Sequence, residues 1–295
     1  MKAGVGERIT ALNGVPCPRS GSRFRAAGIG ALLAAVLAGC ATVPPALPPA
    51  DAVSWIGGQP RVLARLDATQ VSAWHDVTST PELKAVGERT HIVWIGLDLD
   101  SLDDLKTAAK NLHIVLEGDF PKGAAGLMLD WNKAWTKASP GVWTNAKYGL
   151  SVTLPRDNVI TVRRDDAPVA AAPGALRDLD PAALNGSAAW ISLWNPGGLL
   201  FGPVGAKLLP VSRLDVALHE QGLYLEGTVV LYFADERAAK AALVVLKLVA
   251  SAVRARLGQD LTWTVEETQI VGQTLKVKQD DLKTLALTLI NPEKP

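Results

Sequence analysis

The sequence has few of the residues that build disulfide-bonded or metal-bound folds. It contains two cysteines and four histidines in 295 residues. One cysteine, Cys17, lies in a segment that we predict to be removed, so the mature chain has no cysteine pair to oxidise and a disulfide framework is excluded. The histidines, at positions 75, 91, 113 and 219, include no pair at the i, i+4 spacing of a helical zinc site. The sequence therefore predicts no metal centre.

Motifs that carry catalytic chemistry are also missing. The chain has neither the Gly-x-Ser-x-Gly turn of serine hydrolases nor a phosphate-binding loop that ends in Gly-Lys-Ser/Thr. The acidic run Asp98–Asp104 lacks the central glycine and distal glutamate of a calcium loop. The net charge is +1, and −3 without the basic leader, which argues against nucleic acid as a partner. We therefore predict a non-enzymatic protein without cofactors.

Long apolar runs are scarce, and the one near the N-terminus, Ala26–Ala38, has thirteen residues, fewer than the about 20 that span a bilayer. It follows a basic segment and ends in Leu37-Ala38-Gly39-Cys40, which is typical of a lipobox. We therefore predict a lipoprotein signal peptide over residues 1–39 and a Cys40 that carries fatty acyl groups such as palmitate. The alternative is an ordinary secretory signal with an incidental cysteine. Ala41, where Asp would signal retention in the inner membrane, favours a lipid anchor in the outer membrane, facing the periplasm.

Two proline-rich segments divide the 256 residues that remain after cleavage. Residues 40–54 predict a proline-rich tether, which is extended over 41–50 at about 3.1 Å per residue, and residues 166–186 predict a Pro/Ala linker. The linker separates a first region, 55–165, from a second, 187–295. Two short sequences recur in both regions: Leu-Glu-Gly at 116–118 and 225–227, and Trp-Thr at 143–144 and 263–264. Matched tripeptides can also be coincidence.

Alternating and helical hydrophobic patterns predict the same order of elements in both regions. Strands are predicted at 90–97, 114–120, 142–144, 148–154, 159–162, 188–194, 212–219, 222–233, 262–264 and 273–278, and helices at 102–112, 124–137, 235–257 and 280–290. We predict an α+β fold in which two divergent strand-helix-strand repeats form a mainly antiparallel sheet flanked by amphipathic helices.

The predicted helix at 235–257 has the pattern of a helix that lies in a membrane interface. Lys240, Lys247 and Arg254 are spaced by seven and form one cationic stripe on a helix that is otherwise apolar, as at Leu243. Apolar side chains in the acyl region and cations near lipid phosphates suit such a helix. The same pattern suits a helix packed across a sheet with its lysines in water.

The predicted helix at 124–137 carries two of the nine tryptophans. Leu127, Trp131 and Trp135 follow one another at i, i+4 and i+8, with Met128 beside them. Tryptophan is favourable at the headgroup boundary, where its ring is half wet. These residues are equally good anchors in a protein core.

The segment 196–210 is too rich in glycine for a strand and too apolar for a solvated loop. It has four glycines and one charge in fifteen residues, and its apolar side chains include Leu199, Leu200, Phe201, Val204 and Leu208. Loops normally lie on the surface and are polar. The segment is therefore buried, lines a ligand cavity or enters lipid.

Together the lipobox at Leu37–Cys40 and the helix patterns make the chain resemble the concealed outer-membrane lipoproteins of spirochaetes, in particular the treponemal type whose amphipathic helices insert into the periplasmic leaflet. The resemblance implies binding to membrane phospholipid, perturbation of the membrane or altered permeability, and no enzymatic activity. It assigns no site residues. Two alternatives follow from the residues themselves: a periplasmic carrier of a lipid or other apolar ligand, and an assembly scaffold that binds another envelope protein.

Overall fold

One open sheet of twelve strands organises the chain. The computed structural model describes residues 49–56, 60–78, 81–98, 112–164, 184, 186–199, 207, 209–257 and 262–290, which belong to one compact unit. The strands are β1 Val62–Asp67, β2 Thr90–Leu97, β3 Leu112–Gly118, β4 Thr136–Ser139, β5 Val142–Asn145, β6 Leu150–Thr153, β7 Val159–Arg164, β8 Ala189–Trp194, β9 Val211–Gln221, β10 Tyr224–Phe233, β11 Thr262–Glu266 and β12 Gln269–Lys278. The helices are α1 Pro49–Ile56, α2 Ser72–Val77, α3 Pro81–Gly87, α4 Lys122–Trp131, α5 Glu236–Leu257 and α6 Gln279–Ile290.

The strand order is β11-β12-β10-β9-β8-β1-β2-β3-β7-β6-β5-β4, and all neighbours are antiparallel. The first and second sequence regions both contribute strands to this sheet, and they meet at the β1–β8 pair. From that pair the order runs outward through β2, β3, β7 and β6 on one side and through β9, β10, β12 and β11 on the other. The predicted α+β class with a mainly antiparallel sheet is confirmed, whereas the two repeats stay a prediction.

Both Leu-Glu-Gly sequences end in glycine for the same physical reason: a side chain at that position would collide with the backbone of a neighbouring segment. A Cβ on Gly118 would lie 1.9 Å from the carbonyl oxygen of Arg89, and one on Gly227 would lie 1.8 Å from that of Ala217. Both glycines lie beside a shift in strand register, where a bulge changes the spacing of the backbones. Their places in the strands differ, because Gly118 ends β3 whereas Gly227 follows the start of β10.

Helices cover the two faces of the sheet unequally. Val93 and Trp94 are consecutive in β2 and therefore point to opposite faces. Val93 belongs to an apolar cluster that α2, α3 and α4 cover, and α5 and α6 pack on the same face of β10. The cluster around Trp94 is covered by α1 instead. Of the labelled helices, only α1 therefore lies on the second face.

The predicted tether over residues 40–54 is wrong in its last part, because Pro49–Ile56 is helical. Proline is well tolerated at the first helical position, where its missing N–H would have no partner in any case. Ala52 and Ile56, at i and i+4, are buried against the sheet. Ile56 fits there because Gly96 has no side chain, and a Cβ at that position would lie 2.3 Å from Ile56 Cγ2. The proline-rich composition conceals this short amphipathic helix.

The predicted helix at 124–137 is wrong at its C-terminal end. α4 stops at Trp131 because Asn132 has an extended backbone, with φ −83° and ψ 111°. Asn132 Oδ1 then accepts a hydrogen bond of 3.0 Å from the N–H of Ala134, which forms a turn. The chain continues into β4 at Thr136.

Most of the other predicted elements are confirmed. The strand at 90–97 has its predicted bounds, and α5 and α6 each begin within one residue of theirs. The predicted helix at 102–112 lies outside the described residues except for Leu112, which begins β3. The sequence patterns predict no element between 55 and 89, where the structure has β1, α2 and α3. β1 is not predicted because Arg65 interrupts its short apolar run. Leu63 and Leu66 pack on opposite faces of the sheet, so the run does not alternate between apolar and polar residues.

Candidate functional site

Among the described residues, α4 is the helix that exposes the most large apolar side chains. None of its ten residues is buried. Leu127, Met128 and Trp131 expose 52%, 56% and 73% of their surface. Trp131 neighbours both of the others on the helix, because it lies at i+4 from Leu127 and at i+3 from Met128. We call these three residues the α4 surface.

The inner side of α4 packs against the buried ring of Trp143 and its neighbours in the sheet. A Cβ on Gly126 would lie 3.5 Å from the ring of Trp143, which is buried in β5. Ala125 and Leu129 pack against the same apolar cluster, which also contains Leu154. Large apolar side chains therefore lie on both sides of α4: Leu129 faces the sheet, whereas Leu127, Met128 and Trp131 point outward.

A carboxylate connects the last turn of α4 to the β4–β5 hairpin. Asp130 Oδ1 accepts a hydrogen bond of 2.8 Å from Trp143 Nε1. Asp130 Oδ2 lies 3.4 Å from Lys137 Nζ, and that ammonium group lies 5.3 Å from the centre of the Trp143 ring. The hydrogen bond from Trp143, helped by the charge of Lys137, holds the pKa of Asp130 below its ordinary value. The carboxylate is therefore ionised at neutral pH.

The first turn of α4 is held by a second carboxylate. The backbone N–H of Lys122 donates a hydrogen bond of 2.8 Å to Asp157 Oδ1, and Lys122 Nζ donates one of 3.3 Å to the carbonyl oxygen of Pro155. An acidic group is favourable at this end of a helix because the free N–H groups carry partial positive charge. Both ends of α4 are thus attached to the β5–β7 part of the chain.

Trp135, which the sequence places on the same helical face as Leu127 and Trp131, is not part of the α4 surface. It follows the end of the helix, and its half-buried side chain packs against the cluster that contains Trp143. The turn at Asn132 causes this difference, because it ends the helical periodicity on which the i+8 position depends.

Over residues 236–247, the apolar side of α5 packs against the sheet. Ala239, Ala242 and Leu246 are buried against β10 and β12, and the half-buried Leu243 packs beside them. The exposed side chain of Lys240 pairs with Glu236 at 2.6 Å. Lys247 is exposed as well, and Val244 exposes 59% of its surface. The side chain of Arg254 lies outside the described residues.

The described ends of the 196–210 segment are packed. Leu199 is 3% exposed and contacts the cluster of Leu97 and Leu112, so this conformation does not bring it to an external surface. Leu209 is buried in the cluster beneath α5. The other predicted contact residues of this segment lie outside the described residues: Leu200, Phe201, Val204 and Leu208.

Sequence reasoning missed a buried polar cluster that crosses β8, β9 and β10. Asp215 accepts a hydrogen bond of 2.6 Å from Ser192 Oγ and lies 3.2 Å from Arg213 Nη2. The guanidinium group of Arg213 lies 4.0 Å from the centre of the Tyr232 ring. Burial raises the pKa of Asp215 above its ordinary value. The alternating Arg-x-Asp pattern at 213–215 is the signal that predicts two charges on one face of a strand.

In the described part of the chain, no group of three or more His, Cys, Asp or Glu side chains is arranged to hold a metal ion. None of the described helices is both long enough and apolar enough to cross a membrane.

These features define an α+β protein with an open, mainly antiparallel sheet and an exposed apolar helix. The sequence matches no protein-family profile, and it matches no curated protein. The fold is similar to that of the treponemal protein TP0453. Its crystal form I has 12% identity and a TM-score of 0.54, and the match covers 82% of this chain and 98% of that one.

Two other crystal forms of TP0453 give the same result. Form III has 13% identity and a TM-score of 0.53, with 81% of this chain and 98% of that one covered. Form IV has 13% identity and a TM-score of 0.51, with 80% and 96% covered. The predicted resemblance to a treponemal protein is therefore supported at the level of the fold, whereas the lipid anchor and the outer-membrane location stay predictions.

Proposed function

We propose that this chain is a non-enzymatic, lipid-anchored envelope protein that contacts the periplasmic leaflet of the outer membrane through the α4 surface. The observation that carries the proposal is the exposure of Leu127, Met128 and Trp131 on a helix with no buried residue. Adjacent large apolar side chains in water are a sign of an interaction surface. A tryptophan with leucine and methionine beside it suits the boundary between headgroups and acyl chains.

The charges near α4 favour phospholipid as the partner. Lys122 and Lys133, at the two ends of the helix, are exposed cations. The one acidic residue of α4, Asp130, is paired with Lys137. Cations that flank an apolar surface bind lipid phosphates, and each contributes about 1 kcal/mol near an anionic membrane.

The predicted anchor is close enough to let α4 meet the same bilayer. Eight residues, 41–48, separate Cys40 from α1, and a fully extended chain of that length spans roughly 25–30 Å. α1 and α4 lie on opposite faces of the sheet. With about 10 Å between packed layers, a helix radius of about 5 Å and about 14 Å along the sheet from β3 to β5, the outer side of α4 lies roughly 30 Å from α1. The tether matches this distance.

Contact through α4 needs no rearrangement, whereas insertion of α5 does. Its buried residues Ala239, Ala242 and Leu246 would have to leave the cluster that contains Leu231 and Ile270. We therefore assign the membrane contact to α4. Perturbation of the leaflet and altered permeability would follow from the volume that Trp131 and its neighbours occupy among the headgroups.

Flotation with liposomes tests the proposal. The mature chain with Cys40→Ser lacks the acyl groups, so any binding must come from the folded part. It should float with vesicles of phosphatidylcholine and phosphatidylglycerol. A variant in which Leu127, Met128 and Trp131 are all serine should stay at the bottom. A parent chain that itself stays at the bottom would refute the proposal.

A carrier of an apolar ligand is a second candidate, and one observation favours it. The indole N–H of Trp190, a residue only 1% exposed, has no hydrogen-bond partner in the described part of the chain. It lies in the cluster beneath α1, where an acceptor oxygen of a ligand would satisfy it. Native mass spectrometry of freshly purified protein tests this function, and a mass equal to that of the bare chain would contradict it.

A further inference from the structure

We propose that Asp130 is a positioning residue, which fixes the rotation of α4 about its axis so that the α4 surface is presented before any lipid is bound. The inference rests on the proposed function for its purpose, since it concerns the same surface. The geometry that supports it is independent of lipid.

α4 is weakly helical on its own and is only loosely packed against the sheet. Its ten residues are fewer than the about 12–15 at which an isolated helix becomes marginally stable in water. They include two glycines, Gly123 and Gly126, which disfavour the helix further. Because none of its side chains is buried, apolar packing fixes the helix only loosely. Specific polar contacts therefore decide which side faces outward.

The contact of Asp130 lies on the correct side to set this rotation. Gly126 and Asp130 are four residues apart and both face the Trp143 ring. Leu127 and Trp131 form the next stripe, which is rotated by about 100°. A rotation of that size would move the exposed stripe onto the sheet and would break the hydrogen bond between Asp130 and Trp143.

The β4–β5 hairpin holds the carboxylate from two sides. Lys137 and Trp143 are directly paired residues of β4 and β5. Trp143 supplies an N–H that is buried in the core, and Lys137 supplies a charge at the surface. A single carboxylate thus satisfies an indole N–H that would otherwise be buried without a partner.

Hydrogen exchange measured by mass spectrometry on the full mature chain with Cys40→Ser, in the absence of lipid, tests the inference. Asp130→Ala should raise the exchange rate of the α4 amides by about tenfold, the change expected for a lost charge-assisted hydrogen bond, and should leave α6 unchanged. Asp130→Asn should restore most of the protection, because its amide oxygen still accepts from Trp143. Asp76→Ala, which breaks the 3.0 Å pair with Lys283 between α2 and α6, is the matched control and should leave α4 unchanged.

Equal exchange of α4 in Asp130→Ala and the parent would overturn the inference. If Asp130→Ala instead unfolds the whole chain, site-specific replacement of Trp143 by benzothienylalanine decides, because this residue keeps the two-ring shape in the core and has sulfur in place of the N–H. Faster exchange confined to α4 supports the inference, and unchanged exchange refutes it. Flotation of the Cys40→Ser chain supplies the second measurement: Asp130→Ala should bind vesicles more weakly and Asp130→Asn should not. A parent chain that fails to float refutes the proposed function, while the exchange result still decides the role of Asp130.

Discussion

Replacing Trp131 with alanine should weaken binding of the acyl-free chain to vesicles by about 30-fold. Trp131 exposes 73% of its surface. At about 200 Å² for the side chain and about 25 cal/mol per Å², complete removal of that part from water would contribute about 3.5 kcal/mol. An indole at the headgroup boundary stays half wet, so about 2 kcal/mol is gained. Each 1.4 kcal/mol is a factor of ten in the binding constant.

Co-sedimentation with vesicles at increasing lipid concentration measures this change. Leu223→Ala is the control, because Leu223 exposes 83% of its surface at the turn between β9 and β10, away from α4. It should change binding by less than about twofold if general apolar exposure is irrelevant. Equal losses in both variants would refute the assignment to α4, and so would full binding by Trp131→Ala.

Three further predictions concern the fold and the support of α4. Gly227→Ala should lower the free energy of unfolding by about 2 kcal/mol or more, because its Cβ meets the carbonyl oxygen of Ala217, whereas Gly123→Ala, with open space around it, should raise thermal stability slightly. Ile56→Ala should lower the free energy of unfolding in urea by about 2–4 kcal/mol, whereas Ser54→Ala, at an exposed position of the same helix, should have little effect. Equal unfolding midpoints of the two variants would show that α1 adds no stability. The indole N–H resonance of Trp143 should titrate below pH 3.8, the ordinary value for a carboxyl group, because the pKa of Asp130 is lowered in the folded state. The stabilising contact is then complete above that pH and lost as the pH falls through the lowered pKa, and an inflection above pH 3.8 would contradict this assignment.

Much of the sheet could be predicted from local pattern alone. β2 is confirmed over its whole length because its near-continuous apolar run, with Val93 and Trp94 on opposite faces, is typical of a strand covered on both sides. α5 is confirmed because its apolar and charged residues recur at the helical period. The pattern does not decide whether such a helix faces lipid or the sheet, since both environments select the same side chains. Contacts with distant strands decide which environment the helix faces: Leu246 of α5, for example, is buried in the same cluster as Leu231 of β10.

The candidate site was only partly predictable. Leu127, Met128 and Trp131 follow from the helical period, but Trp135 does not share their surface because the turn at Asn132 ends the helix. The role of Asp130 depends on Trp143, which is thirteen residues away and comes into contact only when the β4–β5 hairpin forms. A single sequence carries no local signal for such a pair.

The contact of the α4 surface with lipid is tested most directly by the fluorescence of Trp131 on vesicles whose acyl chains carry bromine. The acylated protein contains several other tryptophans, so the contribution of Trp131 is the difference between the parent and Trp131→Phe. If Trp131 lies at the headgroup boundary, this difference signal is strongly quenched when the bromines lie near the headgroups and more weakly quenched when they lie near the bilayer centre. An unquenched Trp131, in a protein that stays anchored to the vesicles, would contradict it.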